Sequence, residues 1–129
     1  MANKIYVIKP NSLHPDAMFF LKEKAKALNP HAEIMENQSG PNYDPNMIIR
    51  CDALFVAVGK DRSIGKGVYG EVTQCMEADK QVRVYEYDVE TRQLILIPQF
   101  FLTITDSNNY RAFGKIEGLV EVGQTPGPA

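Results

Sequence analysis

Ala53-Leu54-Phe55-Val56-Ala57-Val58 is a continuous apolar run near the middle of the chain. A strand with one face on a core and the other in water would alternate apolar and polar residues, and this run does not alternate. Continuous apolar strands are typical of the centre of a parallel sheet that helices cover on both faces. The run therefore predicts an α/β fold with a central strand at residues 53–58.

The segments around this run alternate between strand and helix patterns. The sequence predicts strands at residues 4–8, 32–35 and 82–87, and helices at residues 15–28, 45–50 and 68–79. Strands that alternate with helices of this length are typical of parallel sheets. We expect a three-layer, mainly parallel, flavodoxin- or Rossmann-like sheet with helices on both faces.

The pattern changes after residue 88. The sequence there predicts a hairpin with strands at residues 84–88 and 93–97, a strand at residues 100–104, a short helix at residues 108–116 and a disordered tail at residues 123–129. The expected fold is thus an α/β sheet with a C-terminal hairpin extension. A chain of 129 residues is typical of one domain, which we place at residues 1–122.

Composition and charge exclude several classes of partner. The formal net charge is −2, so the chain offers no electrostatic basis for binding a nucleic acid duplex. No apolar run approaches the roughly 20 residues that cross a bilayer, and no membrane association is expected. Cys51 and Cys75 lack metal-ligand spacing, and we expect buried free thiols in a cytoplasmic protein. We expect neither a metal site nor a cofactor.

Gly65-Lys66-Gly67-Val68-Tyr69-Gly70-Glu71 lies between the central strand and the next predicted helix. Glycines let a ligand approach the backbone closely, and a helix N-terminus offers N–H groups and partial positive charge that favour anions such as phosphate. The carboxylate of Glu71 is expected where the loop becomes helix. This combination predicts a nucleotide or sugar-phosphate site.

Two known glycine motifs fit this loop imperfectly. A P-loop has four residues between its first glycine and Gly-Lys-Ser/Thr, whereas five residues separate Gly59 from Gly65, and Gly67 replaces the hydroxyl. The dinucleotide fingerprint GxGxxG fits residues 65–70 literally, with Glu86 or Asp88 as the ribose contact, but it does not directly follow the strand.

A third interpretation is a base–sugar site with Glu71 as the functional carboxylate. Asp52 opens the central strand, residues 67–71 read Gly-Val-Tyr-Gly-Glu, and Ala78 and Lys80-Gln81-Val82 follow. This order resembles the nucleoside 2-deoxyribosyltransferase family, whose pattern is Asp before a hydrophobic strand, Gly-small-x-x-Glu, an alanine, and Gly-Lys-x-Val. The resemblance covers roughly residues 4–88 and is specific from residue 52 to residue 82.

The chain departs from that family's pattern after the first strand, at residue 79 and in the loop Lys60-Asp61-Arg62-Ser63, which is unusually charged. Lys9-Pro10-Asn11-Ser12 stands after the first strand, where the family commonly has a Gly-Pro pair against which the base packs. Asp79 precedes Lys80, where the family has glycine. The first departure affects the part of the site that would select the substrate.

The resemblance implies a reaction in which a carboxylate attacks the anomeric carbon, expels the base and forms a glycosyl ester that water or a second base resolves. It implies Glu71 as the nucleophile, Asp52 as an aid to protonation of the base, and Tyr6, at the end of the first strand, as a residue that orients Glu71. The residues expected to hold sugar or phosphate are Asn11, Ser12, Gly59, Arg62, Lys66, Gly67, Val68 and Gly70. The resemblance also implies a homo-oligomer.

Two other functions stay open from the sequence. The chain is also similar to Rossmann-like proteins of the SLOG type, which implies a non-catalytic protein that senses or sequesters an ADP-ribose-type or other phosphorylated nucleotide. A structural or partner-binding protein whose loop holds no ligand is the third alternative.

Overall fold

The computed structural model describes residues 3–11, 13–38, 40–60, 62–97, 102–104 and 119–120, with only the backbone given for residues 63, 66, 102–104 and 119–120. The expected helix at residues 108–116 and the expected tail at residues 123–129 lie outside the described residues. So do Ser12 and the first two residues of the strand expected at residues 100–104.

The described chain alternates strands and helices as the sequence predicts. Its strands are β1 (Lys4–Ile8), β2 (Glu33–Glu36), β3 (Ala53–Val58), β4 (Ser63–Ile64), β5 (Gln81–Asp88), β6 (Gln93–Ile97), β7 (Leu102–Ile104) and β8 (Leu119–Val120). Its α-helices are α1 (Asp16–Leu28), α2 (Met47–Arg50) and α3 (Lys66–Glu77), and a short 3-10 helix spans Gly40–Asn42.

The main sheet has five strands in the order β2-β1-β3-β5-β6. The pairs β1–β2, β1–β3 and β3–β5 are parallel, whereas β5 and β6 form an antiparallel hairpin in which Tyr85 pairs with Leu96. The predictions of an α/β fold, of a mostly parallel sheet and of the hairpin are confirmed.

The described residues also form a second, small sheet, which was not predicted from the sequence. Strand β4 falls inside the segment expected to be a loop, and it pairs in parallel with β7, which pairs in parallel with β8. A strand of two residues such as β4 is too short to show a hydrophobic period, so only its pairing reveals it.

Strand β3 is buried on both faces, as its continuous apolar sequence predicts. All six of its residues have no solvent exposure. Leu54, Val56 and Val58 belong to one hydrophobic cluster, and Ala53, Phe55 and Ala57 belong to a second. Because side chains alternate along a strand, these clusters lie on opposite faces of the sheet.

Each of the two clusters receives a row of buried side chains from a different helix. Helix α1 contributes Ala17, Leu21 and Ala25, spaced four residues apart, to the cluster around Phe55. Helix α3 contributes Val68, Val72 and Cys75, among others, to the cluster around Leu54 and Val56. These spacings place each set on one face of its helix and orient α3 over the sheet.

Cys51 and Cys75 are buried and carry free thiols, which confirms that prediction. The Cys51 thiol donates to the Ile48 carbonyl oxygen at 3.1 Å, and it also contacts Cys75. Within the part of the chain that the structure describes, no helix is both long and apolar enough to cross a membrane.

Replacing Leu21 by alanine tests how firmly α1 is held on the sheet. Leu21 is completely buried, so we expect Leu21→Ala to lower the free energy of unfolding by about 2–5 kcal/mol. Glu23→Ala, at an exposed position of the same helix, should change it by less than about 0.5 kcal/mol. Urea unfolding followed by circular dichroism measures both, and equal losses would contradict the packing described.

Candidate functional site

A cavity of about 690 Å³ opens at the carboxyl ends of β1 and β2. Its walls come from β1 and the following loop, from the segment after β2, and from the start of α3. The residues that line it include Tyr6, Lys9, Asn11, Glu36, Asn37, Tyr43, Gly65, Gly67, Val68 and Glu71. Strand β2 lies on one side of β1, and the next strand along the chain, β3, lies on the other side. The cavity is therefore located where the direction of the strand order reverses. Ligands of open α/β sheets bind at such positions.

Glu71 lies in this cavity and accepts hydrogen bonds from two tyrosine hydroxyls. The buried hydroxyl of Tyr6 donates to the Glu71 carboxylate, and the Tyr43 hydroxyl donates to Glu71 Oε2 at 3.5 Å. Burial raises the pKa of Glu71 above its ordinary value, and the two hydroxyls oppose that rise because they stabilise the ionised form. The site therefore holds a partly desolvated carboxylate in a defined orientation.

Tyr6 is fixed more firmly than the sequence suggests. It lies in the middle of β1 rather than at its end, paired with Met35 of β2 on one side and Leu54 of β3 on the other. Its side chain is 1% exposed, and burial, followed by the hydrogen bond to Glu71, raises the pKa of the phenol far above its ordinary value. Tyr6 thus stays protonated and acts as a permanent donor to Glu71.

Asn37 connects Tyr6 to the loop after β2. Its side-chain oxygen accepts from the N–H groups of Gln38 and Asp44, both at 2.9 Å, and its amide nitrogen donates to the Asp44 carbonyl oxygen at 2.7 Å. It also hydrogen-bonds the Tyr6 hydroxyl. One side chain therefore closes the loop from residue 37 to residue 44 and contacts the tyrosine that holds Glu71.

Asn37 and Tyr43 were not predicted as site residues. Their segment has no hydrophobic period, and its Gly, Pro, Asn and Ser residues indicated only a turn-rich loop. The one available signal was an aromatic residue within a polar loop, since binding residues are often carried by loops on a rigid scaffold.

The glycine segment forms helix rather than loop. Helix α3 begins at Lys66, so Glu71 lies beyond its first turn and not at the junction of loop and helix. The helix thus starts two residues before the predicted start at residue 68, and Val68, Tyr69 and Val72 are buried as a packed helix face. Because the helix dipole acts mainly on the first turn, it does not account for the position of Glu71.

Neither the backbone nor the packing requires glycine at Gly65, Gly67 or Gly70. A Cβ added to any of the three would meet no atom within 4 Å, and none of them has a positive φ. Gly65 and Gly67 line the cavity. Gly65 has no side chain to cap α3, and the N–H groups of residues 66–68 have no acceptor within the helix. At Gly65 and Gly67 the cavity wall is therefore backbone without a side chain.

Among the other predicted ligand-binding residues, Asn11 and Val68 line the cavity. Lys66 is the first residue of α3, and Gly70 lies on an exposed part of that helix, outside the cavity lining. The Gly59 carbonyl oxygen accepts from the N–H of Arg62 at 2.9 Å, and Gly59 is not part of the cavity wall that the described residues form.

Asp52 and Arg62 are placed away from Glu71. Asp52 Oδ2 accepts from the N–H groups of Asn3 and Lys4 at 3.0 and 2.9 Å, at the amino end of the sheet, opposite the cavity. Arg62 Nε donates to Glu86 Oε1 at 2.9 Å. Neither Asp52 nor Arg62 is among the described residues that line the cavity.

The acidic residues expected by the dinucleotide interpretation are also engaged elsewhere. Glu86 pairs with Arg62, and Asp88 accepts from the N–H groups of Glu90 and Thr91 in the turn of the hairpin. Neither carboxylate belongs to the described cavity lining, so the ribose contact of that fingerprint has no counterpart there.

Comparisons of the chain with protein-family models, with curated proteins and with solved structures return no match. Within the described residues, no group of three or more His, Cys, Asp and Glu side chains is placed to hold a metal ion.

The raised pKa of Glu71 predicts how stability varies with pH. Between the ordinary carboxyl pKa and the raised one, the folded protein binds more protons than the unfolded chain, so ionisation of Glu71 lowers stability as pH rises through this window. The substitution Glu71→Gln removes the ionisable group and with it this loss of stability. We therefore expect the stability of the variant to increase relative to wild type as the pH rises.

Urea unfolding at intervals between pH 4 and pH 7 measures this difference. Glu77→Gln, at an exposed position of the same helix, controls for the removal of one negative charge. If the free energy of unfolding of Glu71→Gln instead falls relative to that of wild type as the pH rises, the pKa of Glu71 is lowered in the folded protein. That result would contradict the burial argument.

Proposed function

We propose that this protein is a nucleoside 2-deoxyribosyltransferase-like enzyme that hydrolyses or transfers the N-glycosidic bond of a nucleoside or nucleotide, with Glu71 as the nucleophile. The observation that carries the proposal is the carboxylate of Glu71, partly buried in the cavity and held by the hydroxyls of Tyr6 and Tyr43. A carboxylate in such surroundings is oriented, partly desolvated and open to a ligand on one side.

The reaction follows from the chemistry of a carboxylate. A Glu71 oxygen forms a bond to the anomeric carbon while the carbon–nitrogen bond to the base breaks, and the base nitrogen takes that electron pair. Water or the nitrogen of a second base then attacks the same carbon, the carboxylate takes back its electron pair, and the proton that the attacking group loses passes to the departed base. Only ionised Glu71 can begin this sequence, and Tyr6 favours that ionised form while fixing its orientation.

The size and position of the cavity support a nucleoside or nucleotide as the ligand. About 690 Å³ falls within the range of small-molecule sites, and the cavity lies at the carboxyl ends of the strands. Bare backbone at Gly65 and Gly67, beside the start of α3, suits close approach of a sugar or a phosphate. Asn11 and Lys9 supply polar groups on the facing wall.

The same proposal includes the finer fold type of the domain, its oligomeric state and the cellular compartment of the protein. With α1 packed against one face of the sheet and α3 against the other, we assign a three-layer flavodoxin-like domain. A homo-oligomer follows from the family resemblance alone. The free thiols of Cys51 and Cys75 support a reducing compartment, the cytoplasm.

A second candidate is a non-catalytic protein that senses or sequesters a phosphorylated nucleotide, such as an ADP-ribose derivative. The position of Asp52 favours it, because this carboxylate lies at the other end of the sheet and cannot assist protonation of a departing base. Glu36, the other carboxylate of the described cavity wall, forms an ion pair with Lys22.

Incubation with nucleosides, nucleoside monophosphates and NAD-derived nucleotides separates the two candidates. Base release and retention of intact ligand are measured together by chromatography. For the enzyme we expect base release that falls by at least about a thousandfold in Glu71→Gln, since the nucleophile is lost. Glu77→Gln, on the exposed side of α3, should retain full activity.

Tight retention of an unaltered nucleotide with equal affinity in wild type and Glu71→Gln would overturn the enzyme and support the binding protein. Base release that persists in Glu71→Gln would show that another group attacks the sugar. A panel in which no compound is bound or cleaved would favour the structural alternative.

Gly67→Ala and Gly70→Ala test whether the bare backbone serves a ligand. Both residues lie in α3, and a Cβ meets nothing within 4 Å at either, so both variants should be at least as stable as wild type. Only Gly67 lines the cavity. We therefore expect Gly67→Ala alone to weaken ligand binding, measured by calorimetry; equal affinities for the two variants would contradict a ligand at this wall.

A further inference from the structure

The two tyrosines that hold Glu71 differ in how firmly they are held themselves. Tyr6 is 1% exposed, lies on an inner strand of the sheet and has a second hydrogen bond from Asn37. Tyr43 is 43% exposed, and its hydroxyl lies 3.5 Å from Glu71 Oε2, at the outer limit of a hydrogen bond. One donor is thus part of the core, and the other lies at the surface of the cavity.

The backbone around Tyr43 is nevertheless well fixed. Its N–H donates to the Gly40 carbonyl oxygen at 3.1 Å, and the next residue, Asp44, is held through its N–H and carbonyl groups by Asn37. The Asp44 carboxylate also pairs with Arg50 of α2 at 2.8 Å. The Tyr43 side chain can rotate while this backbone keeps its hydrogen bonds, and exposed side chains rotate in picoseconds to nanoseconds.

A ligand that reacts with Glu71, or that hydrogen-bonds to it, needs an oxygen of its carboxylate to be accessible. Tyr6 is buried on an inner strand, whereas the exposed Tyr43 can turn towards solvent once it gives up its 3.5 Å hydrogen bond to Glu71 and its hydrogen bond with Tyr6. Oε2 is also the oxygen that the Tyr43 hydroxyl contacts, and Tyr43 itself lines the cavity. A ligand atom that bonds to Oε2 therefore competes with the Tyr43 hydroxyl for this oxygen.

We propose that Tyr43 is a positioning residue of the ligand-free protein: its hydroxyl holds Glu71 Oε2 until a ligand enters the cavity and takes its place. This inference rests on the proposed function for the identity of the ligand, but the contact on which it depends exists without one. Tyr6, in contrast, holds Glu71 both before and after the ligand binds.

Among the described residues, Tyr6 and Tyr43 are the groups that hydrogen-bond to Glu71, so loss of the Tyr43 hydroxyl should appear in the titration of this carboxyl group. Tyr6 faces it from β1, Tyr43 faces it from the loop after β2, and Cys75 lies one turn further along α3 and senses its charge. Besides Glu71, the charged residues of the described cavity wall are Lys9, which donates to the carbonyl oxygens of Pro10 and Leu13, and Glu36, which pairs with Lys22. Removing the Tyr43 hydroxyl leaves these charged groups in place and also removes the hydrogen bond between Tyr43 and Tyr6.

The first experiment titrates the Glu71 carboxyl carbon by ¹³C NMR in the ligand-free protein, with the signal assigned through Glu71→Gln. Tyr43→Phe and Tyr6→Phe each remove one donor to the ionised carboxylate, so each should shift the titration to higher pH. Tyr43→Phe keeps the ring at an exposed position, and its folding should be unaffected. An unchanged titration in Tyr43→Phe would overturn the proposal.

The second experiment adds 2′-deoxyadenosine, 2′-deoxyguanosine, 2′-deoxycytidine and thymidine 5′-monophosphates. Where base is released, the pH profile of kcat/KM reports the free enzyme and that of kcat reports the complex. We expect Tyr43→Phe to shift the acid limb of kcat/KM to higher pH and to leave that of kcat unchanged. Tyr6→Phe should shift both limbs.

Equal shifts of both limbs in Tyr43→Phe would overturn the exchange while leaving the enzyme intact. If a monophosphate is retained without base release, the ¹³C titration is repeated on the complex, and Tyr43→Phe should then match wild type; this result supports the exchange although the proposed reaction has failed. If none of the four monophosphates binds or is cleaved, the exchange is overturned, and a shifted titration in the free protein still establishes the contact.

Discussion

The complete burial of β3 on both faces is the constraint on which the rest of this structure depends. Six consecutive residues without solvent exposure need apolar cover above and below the sheet, and α1 and α3 supply it. Since α3 follows β3 and returns the chain to β5, its N-terminus lies at the carboxyl ends of the strands. The burial of one strand thus determines where the glycine-rich helix start and Glu71 are located.

From that arrangement, three distant parts of the chain contribute to one carboxylate. Tyr6 comes from β1, Tyr43 from the loop after β2, and Glu71 from α3. The inner strand holds Tyr6 rigidly, whereas a loop clamped by Asn37 presents Tyr43 to solvent. The site therefore combines one donor that the core fixes with one that a ligand can displace, and both act on the same group.

Much of the fold and part of the site are visible in the sequence. The apolar run of β3 and the paired segments of the hairpin form as their patterns predict, because each pattern reflects local burial. Glu71 and Tyr6 are the predicted residues that meet in the cavity with a direct contact. The helix α3 starts two residues earlier than its predicted start at residue 68, because Gly65 and Gly67 locally indicate a loop.

The sequence by itself determined the α/β class, the central strand and the carboxylate that merits testing, since hydrophobic period and glycine spacing are properties of neighbouring residues. Tertiary structure alone decided which polar groups reach that carboxylate. Asp52 is engaged by the backbone of Asn3 and Lys4, while Tyr43 turns towards Glu71. These partners are 28 to 49 residues apart along the chain, and no local pattern encodes such contacts because chain topology, not sequence spacing, brings them together.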